Sequence, residues 1–428
     1  MKSLFVSGAL LGLLAGCSAV DDEPSSVDTR EGEGGCPPGS TASSGGNGGG
    51  GGTTASTSAS TSAASGSGGA GGSAEGGGGG GAPEPEPQPT ILDKRKLDYN
   101  EALRTASLKL VGTLPTFQQV EELRTTPSQN QKAMYEQYVD DMMNDVRFKR
   151  RLVDFWRNEF RMGGTALRDT APTFAAQVTF EGRSFAELFT ATSDTCPTFD
   201  GTNFINGTCT NANPTVGLLT NPGVQSHYYG NLAFRRLRFF QEVFACRKYP
   251  AEYAPTPIPM GAGDYTAPWP FDSIAGTANG GRMDFLDTSS AICANCHATM
   301  NHRAPLFAYF DQNGVQQTTI KVNIPITGTP VAEFSDWLPP GQVTAFKLGK
   351  DAPDLTTYGQ HMSADEGIQY CAVARVWNFA MSRGDIVNDA ADVPSVVIQP
   401  LLDAYKQSNF NLRNTFRSAF THDDFVRF

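Results

Sequence analysis

Cys293-Ala294-Asn295-Cys296-His297 carries the most specific chemistry of the chain. Two cysteines at i and i+3 followed at once by a histidine form C-x-x-C-H, which in an exported protein is the attachment signature of c-type haem. On a helix the two sulfurs share one face, where they can form thioethers to both porphyrin vinyl groups, and the adjacent histidine presents a ring nitrogen to the iron. Three other readings compete: a disulfide within the motif, a thioredoxin-like redox pair, or half of a zinc site. The thioredoxin pair opens a helix in a βαβ context that is missing here, and a zinc site needs a second cysteine or histidine pair at matching spacing. The motif occurs once, which disfavours a multi-haem wire or a di-haem peroxidase and leaves one iron that moves one electron.

The sixth position on that iron is open to several residues, since methionine and histidine are the usual choices. Met300 and His302 lie too close to His297 in sequence to reach the opposite face easily. Met362 is the first choice, ahead of His361, with Met260 and Met283 behind. The competing view is that these are packing residues and the iron is five-coordinate.

Among the eight cysteines, Cys196 and Cys209 bracket a short loop rich in Asn, Gly and Thr, and a disulfide there would limit the unfolded chain. Cys246 and Cys371 fall on apolar helical faces, so a second bridge is possible but not deducible from sequence. Cys36 is left unpaired.

The elements that must position this chemistry are mainly helical, with minor β and long loops. From Lys94 to Met162 four helices are expected. Met134, Tyr138 and Met142 recur at four, Leu152, Phe155, Trp156 and Phe160 mark a second stripe, and Thr116 with Gln119 has the form of a capping box. Gly163 to Gly230 lacks periodicity and reads as loop, with a short hairpin around Cys196 to Cys209. A helix follows from about Leu232 to Cys246, with Leu237, Phe240, Val243 and Phe244 facing inward. Beyond the haem segment come a β-favouring piece around Thr318 to Thr327 and three closing helices. The first of these opens at Ser363 with Glu366 three residues on, its inner face being Ile368, Cys371, Ala372 and Phe379.

The N-terminus reads as a lipoprotein export signal over residues 1–16: Met1-Lys2 is the positive end, Leu4 to Leu14 the apolar run, and Leu13-Leu14-Ala15-Gly16-Cys17 a lipobox-like close. The run is too short to span a bilayer, so the expected attachment is a lipid on Cys17. The alternative is an ordinary secretory signal with an incidental cysteine. Residues 17–90 then form a tether dominated by Gly, Ser, Thr and Ala, unable to build a core and with a reach of roughly 45 Å. Pro83-Glu84-Pro85-Glu86-Pro87 stiffens its end. The folded remainder divides into an N-terminal helical module (91–165), a central loop-rich and helical module (166–290) and a haem-binding and C-terminal module (291–428). A net charge of −11 argues against nucleic acid as a partner.

Several stretches resemble the large cytochrome-c-like exported proteins found in planctomycetes and myxobacteria. Ser107 to Thr116 with Phe155-Trp156 to Arg161 looks like that family's N-terminal helical module. Gly217-Leu218-Leu219-Thr220, then Arg235 to Cys246 and a Pro-rich exit, is similar to its central module. Cys293 to His297, continuing through Met300-Asn301 and Phe310-Asp311 to Gly314, resembles its haem segment. Cys371 to Gly384 and Phe416 to Phe428 look like its C-terminal module. Where the family usually has Asp-Pro, then a Gly and an aromatic, this chain has Asn301-His302 and Ala304-Pro305. His302 then lies near the haem edge, as a surface residue or as a donor that tunes it.

The sequence therefore predicts a lipid-anchored mono-haem cytochrome that exchanges electrons with a redox protein or a small-molecule donor or acceptor. The alternatives are a haem-dependent oxidoreductase with an open iron site and a surface binding or scaffold lipoprotein. No Ser-His-Asp arrangement, phosphate loop or His-Glu metal motif stands out. His227, His422, Asp423 and Asp424 read as solvated or capping groups.

Overall fold

The computed structural model describes residues 94–248, 291–324, 328–338, 341–347, 349–384 and 393–428, without the side chains of residues 231, 291–296 and 298. Within them the chain is mainly α-helical. Four helices open it: α1 (Tyr99–Leu110), α2 (Phe117–Thr125), α3 (Ser128–Asn144) and α4 (Val146–Phe160). Each start but that of α3 has a side-chain cap: Asp98 for α1, the reciprocal Thr116/Gln119 box for α2 and Asp145 for α4. The inward face of α4 is Phe148, Leu152, Phe155, Trp156 and Phe160. On α3 the buried residues are Tyr135, Val139, Met142 and Met143, so the stripe is rotated from the Met134/Tyr138 spacing, and those two are only half-buried.

The middle of the chain is more helical than its sequence suggests. A 15-residue helix, α5 (Ala166–Phe180), packs along α4, with Trp156 donating to the Thr179 hydroxyl at 3.2 Å. It escapes periodicity because it is buried without a break from Ala171 to Thr179, and it carries Pro172 inside. The hairpin is present, pairing β1 (Thr198–Phe199) with β2 (Phe204–Ile205), and the Cys196–Cys209 disulfide closes its base. After α6 (Glu187–Thr190) and α7 (Pro222–His227), α8 (Phe234–Ala245) buries Leu237, Phe240, Val243 and Phe244 as expected.

α9 (Ala291–Phe307) contains the C-x-x-C-H residues. The strand after it is not at Thr318 to Thr327, where the described residues hold only an isolated bridge at Asn323 with Val331. It is β3 (Ala345–Lys347), paired with β4 (Lys350–Asp351) and packed on α9. Among the described residues four helices close the chain rather than three: α10 (Leu355–Ser363), α11 (Glu366–Ala380), α12 (Ser395–Gln407) and α13 (Leu412–Phe420). Ser363 is therefore the end of α10 and not a cap. The cap of α11 is Asp365, whose carboxylate accepts from the amide of Ile368 and also pairs with Lys347 of β3.

One hydrophobic core runs through the described residues. The first described segment pairs with the last, Asp98 N donating to Val426 O and Lys96 N to Phe428 O, each at 2.9 Å. Tyr135 of α3 donates to Phe420 O, and Arg417 of α13 pairs with Asp140. A second disulfide, Cys246–Cys371, joins the end of α8 to α11 across 125 residues. Among the described residues no helix is long and apolar enough to cross a membrane.

Candidate haem-attachment site

Cys293, Cys296 and His297 lie in the first two turns of α9. The His297 ring is buried. Its Nδ1 lies 3.3 Å from Oδ1 of Asn301, one turn further along the same helix. An amide oxygen only accepts, so Nδ1 carries the hydrogen and Nε2 the lone pair. Phe234, at the start of α8, meets the ring edge-on with centroids 5.0 Å apart. Burial pushes the imidazole pKa down to about 4, with the Asn301 bond opposing, so the ring is neutral at physiological pH. A neutral imidazole with one nitrogen engaged and the other basic is the form that ligates a metal.

The helix bearing this ring is fastened on three sides. Arg303 donates from Nε to Phe346 O at 2.7 Å and from Nη1 to Gln241 Oε1 at 3.0 Å, tying α9 to β3 and α8. His302 is not at the surface: it is buried, with Nδ1 2.6 Å from Val343 O, and so lies toward the β3 side. At the far end, the fully buried Arg236 of α8 donates to Gln225 O, from Nε at 3.0 Å and Nη2 at 2.6 Å, and to Phe307 O, Phe310 O and Asp311 O. Every N–H of that guanidinium thereby has an acceptor. Burial lowers its pKa to about 10, which leaves it charged at neutral pH. A cation at the carbonyl end of α9 is also favoured by the helix dipole.

Met362 and His361 sit in the last turn of α10, just before the capped start of α11. Met362 is buried, whereas His361 is half-buried, with Nε2 3.0 Å from Asp351 O and its ring stacked on Phe346. α10 meets α9 where Tyr358 packs edge-on against Phe307, about 15 Å along the helix axis from His297. Met300 is buried within α9 itself. Met260, Met283, Cys17 and Cys36 lie outside the described residues, as do the thiols of Cys293 and Cys296.

His297 lines neither of two clefts found among the described residues. One of about 420 Å³ lies between Pro305, Leu306 and Tyr309 after the middle of α9 and Phe334 and Leu355 opposite. The other, about 510 Å³, is lined by Arg157, Arg161, Arg168 and His227 where α4 meets α5. No three His, Cys, Asp or Glu side chains converge among the described residues. Of the groups that build the site, sequence reasoning named His297 but missed Asn301, Phe234 and Arg236. The i,i+4 spacing of His297 and Asn301 was the available signal for the first.

Comparison with known proteins gives no match: no family model, curated protein or solved structure corresponds to this chain.

Proposed function

We propose that the protein is an extracytoplasmic mono-haem c-type cytochrome that transfers single electrons while anchored to a membrane through a lipid on Cys17. One observation carries the reading. His297, directly after the C-x-x-C pair, is buried, neutral and bonded through Nδ1 to Asn301, which presents Nε2 as the basic nitrogen. In this reading Cys293 and Cys296 would hold the haem through thioethers and His297 would ligate its iron. Bound haem supplies a one-electron couple. The chain's own part is to hold the imidazole in one tautomer, to wall it with Phe234, and to fix the supporting helix through Arg236 and Arg303. Both disulfides suit an oxidising compartment, which is also where c-type haem is attached. Electrons would pass to or from a redox protein or a small donor or acceptor. The resemblance of the haem segment to cytochrome-c-like exported proteins supports the same reading.

A second reading, a haem-dependent oxidoreductase with an open iron position, is favoured by one feature. Met362 is on a helix that approaches the opposite end of α9 from His297. Met362→Ala separates the two readings.

The test is expression in a host with haem-attachment machinery, then haem staining on a denaturing gel and spectra of both redox states. Covalent haem that disappears in Cys293→Ser/Cys296→Ser supports attachment. A methionine-to-iron charge-transfer band lost in Met362→Ala supports the carrier with that ligand, and a five-coordinate spectrum supports the oxidoreductase. A chain without covalent haem would be a surface binding protein instead. Release of the protein from membranes in Cys17→Ala tests the anchor.

A further inference from the structure

We infer that Asn301 is the positioning residue for the axial histidine, and that its neutral amide holds the reduction potential of the site above the value a carboxylate would set there. The inference rests on the haem reading above and adds what tunes that site.

The Asn301 side chain is fully buried, and a buried amide is tolerated where its polar atoms find partners. Its Oδ1 is 3.3 Å from Nδ1 of His297, on the same face of α9 one turn away, so a single rigid helix supplies both groups. The bond selects the Nδ1–H tautomer and restrains rotation about the Cβ–Cγ bond, while the Phe234 ring blocks that motion from another direction. The partner of a ligating imidazole governs its basicity: the more strongly Nδ1–H is drawn toward its acceptor, the more electron density Nε2 donates to the metal. A carboxylate draws harder than an amide because charge-assisted bonds are roughly twice as strong as neutral ones. Density pushed onto the iron stabilises the oxidised state, so an anionic acceptor lowers the potential and a missing acceptor raises it. Asn and Asp have nearly the same shape, which makes this position one where charge changes with little change in packing.

The test has two arms on the full chain. In haem-loaded protein, midpoint potentials at pH 7 are compared for wild type, Asn301→Asp and Asn301→Leu, with covalent haem measured in each. The expected result is full haem content, a downward shift in Asn301→Asp of at least tenfold in the reduction equilibrium, about 59 mV for one electron, and an upward shift in Asn301→Leu. Loaded variants with the wild-type potential overturn the inference. Asn301→Leu buries no charge and carries this arm alone if the Asp variant does not load. In the haem-free chain, the ring nitrogen shifts of His297 should show one Nδ1–H tautomer in wild type and a mixture in Asn301→Leu. The same mixture in wild type overturns the positioning role. Wild type that shows the single tautomer but never loads haem overturns the cytochrome reading and the tuning role, and leaves the positioning role standing.

Discussion

The guanidinium of Arg236 donates to the carbonyl of Phe307 at 2.7 Å, joining α8 to the last residue of the helix that carries His297. That bond is one of five, and the other acceptors, on Gln225, Phe310 and Asp311, are also main-chain carbonyls. Phe307 O and Asp311 O also accept from the amides of Phe310 and Gly314, but removing the guanidinium takes its donors from Gln225 O and Phe310 O in a region that excludes water, which costs more than the bonds' net contribution. Arg236→Met should therefore lower unfolding stability by more than about 3 kcal/mol. Arg236→Lys, with three donors on a flexible stem, should fall between the variant and wild type. Urea unfolding of the three proteins checks the order, and equal midpoints for Lys and Arg would show that the fork geometry is unimportant.

The two disulfides should differ in what they contribute. Cys196–Cys209 closes a separation of 13 residues and Cys246–Cys371 one of 125. If limiting the unfolded chain dominates, the short bridge is worth about 3 kcal/mol and the long one about 5 kcal/mol. Paired Cys→Ala substitutions, compared by denaturant midpoint, should show the larger loss for Cys246 and Cys371. A reversed order would mean that local strain or residual structure in the unfolded chain outweighs loop entropy.

What was legible in the sequence divides by the range of the interaction. α4 and α8 declare themselves because each buries one stripe, and α2 because Thr116 and Gln119 cap it locally. α5 does not, since a helix buried from Ala171 to Thr179 has no polar side to set the period. α11 was placed, but its cap was misassigned by two residues because Ser363 followed by Glu366 imitates the capping spacing while Asp365 makes the bond. At the site, His297 follows from the motif, whereas Phe234 and Arg236 come from α8 through contacts that no local pattern encodes. The same holds for the approach of Tyr358 to Phe307, which sets where α10 meets α9.

Stability should fall on mild acidification, and His227 should account for part of the fall. Burial, then the nearby Arg168, lowers its pKa from 6.5, against the raising effect of its bond to Arg161 O, and Arg235 lowers it further. In the unfolded chain the ring regains its ordinary value, so as pH drops below about 6.5 the unfolded state takes up the proton first. Stability is thus complete above that value and declines below it, until the folded ring also titrates. His302 is shifted in the same direction and adds to the decline. Urea midpoints from pH 7.5 to 5 should fall less steeply in His227→Gln than in wild type. Parallel curves would mean that the ring is as easily protonated folded as unfolded.

Gly359 gives a case where two effects oppose and the structure decides between them. It lies inside α10, where alanine is intrinsically better than glycine by about 1 kcal/mol. A Cβ at this position, however, would stand 2.1 Å from the carbonyl oxygen of Phe189 and 3.1 Å from the Leu219 side chain. The first of these is main chain of α6, so relief requires the two helices to separate rather than a side chain to turn. Tyr358 and Met362 on the same helix are buried, and moving α10 outward would loosen both. Overpacking of this kind costs about 1–3 kcal/mol or more, which outweighs the gain in propensity. Gly359→Ala should accordingly be less stable than wild type by about 2 kcal/mol, net. Its thermal midpoint measures this directly, and a rise would show that α6 and α10 can part without loss. If Met362 ligates the iron, the same substitution should also weaken the methionine band in haem-loaded protein. An unchanged band together with a lowered midpoint would point to a ligand from elsewhere in the chain.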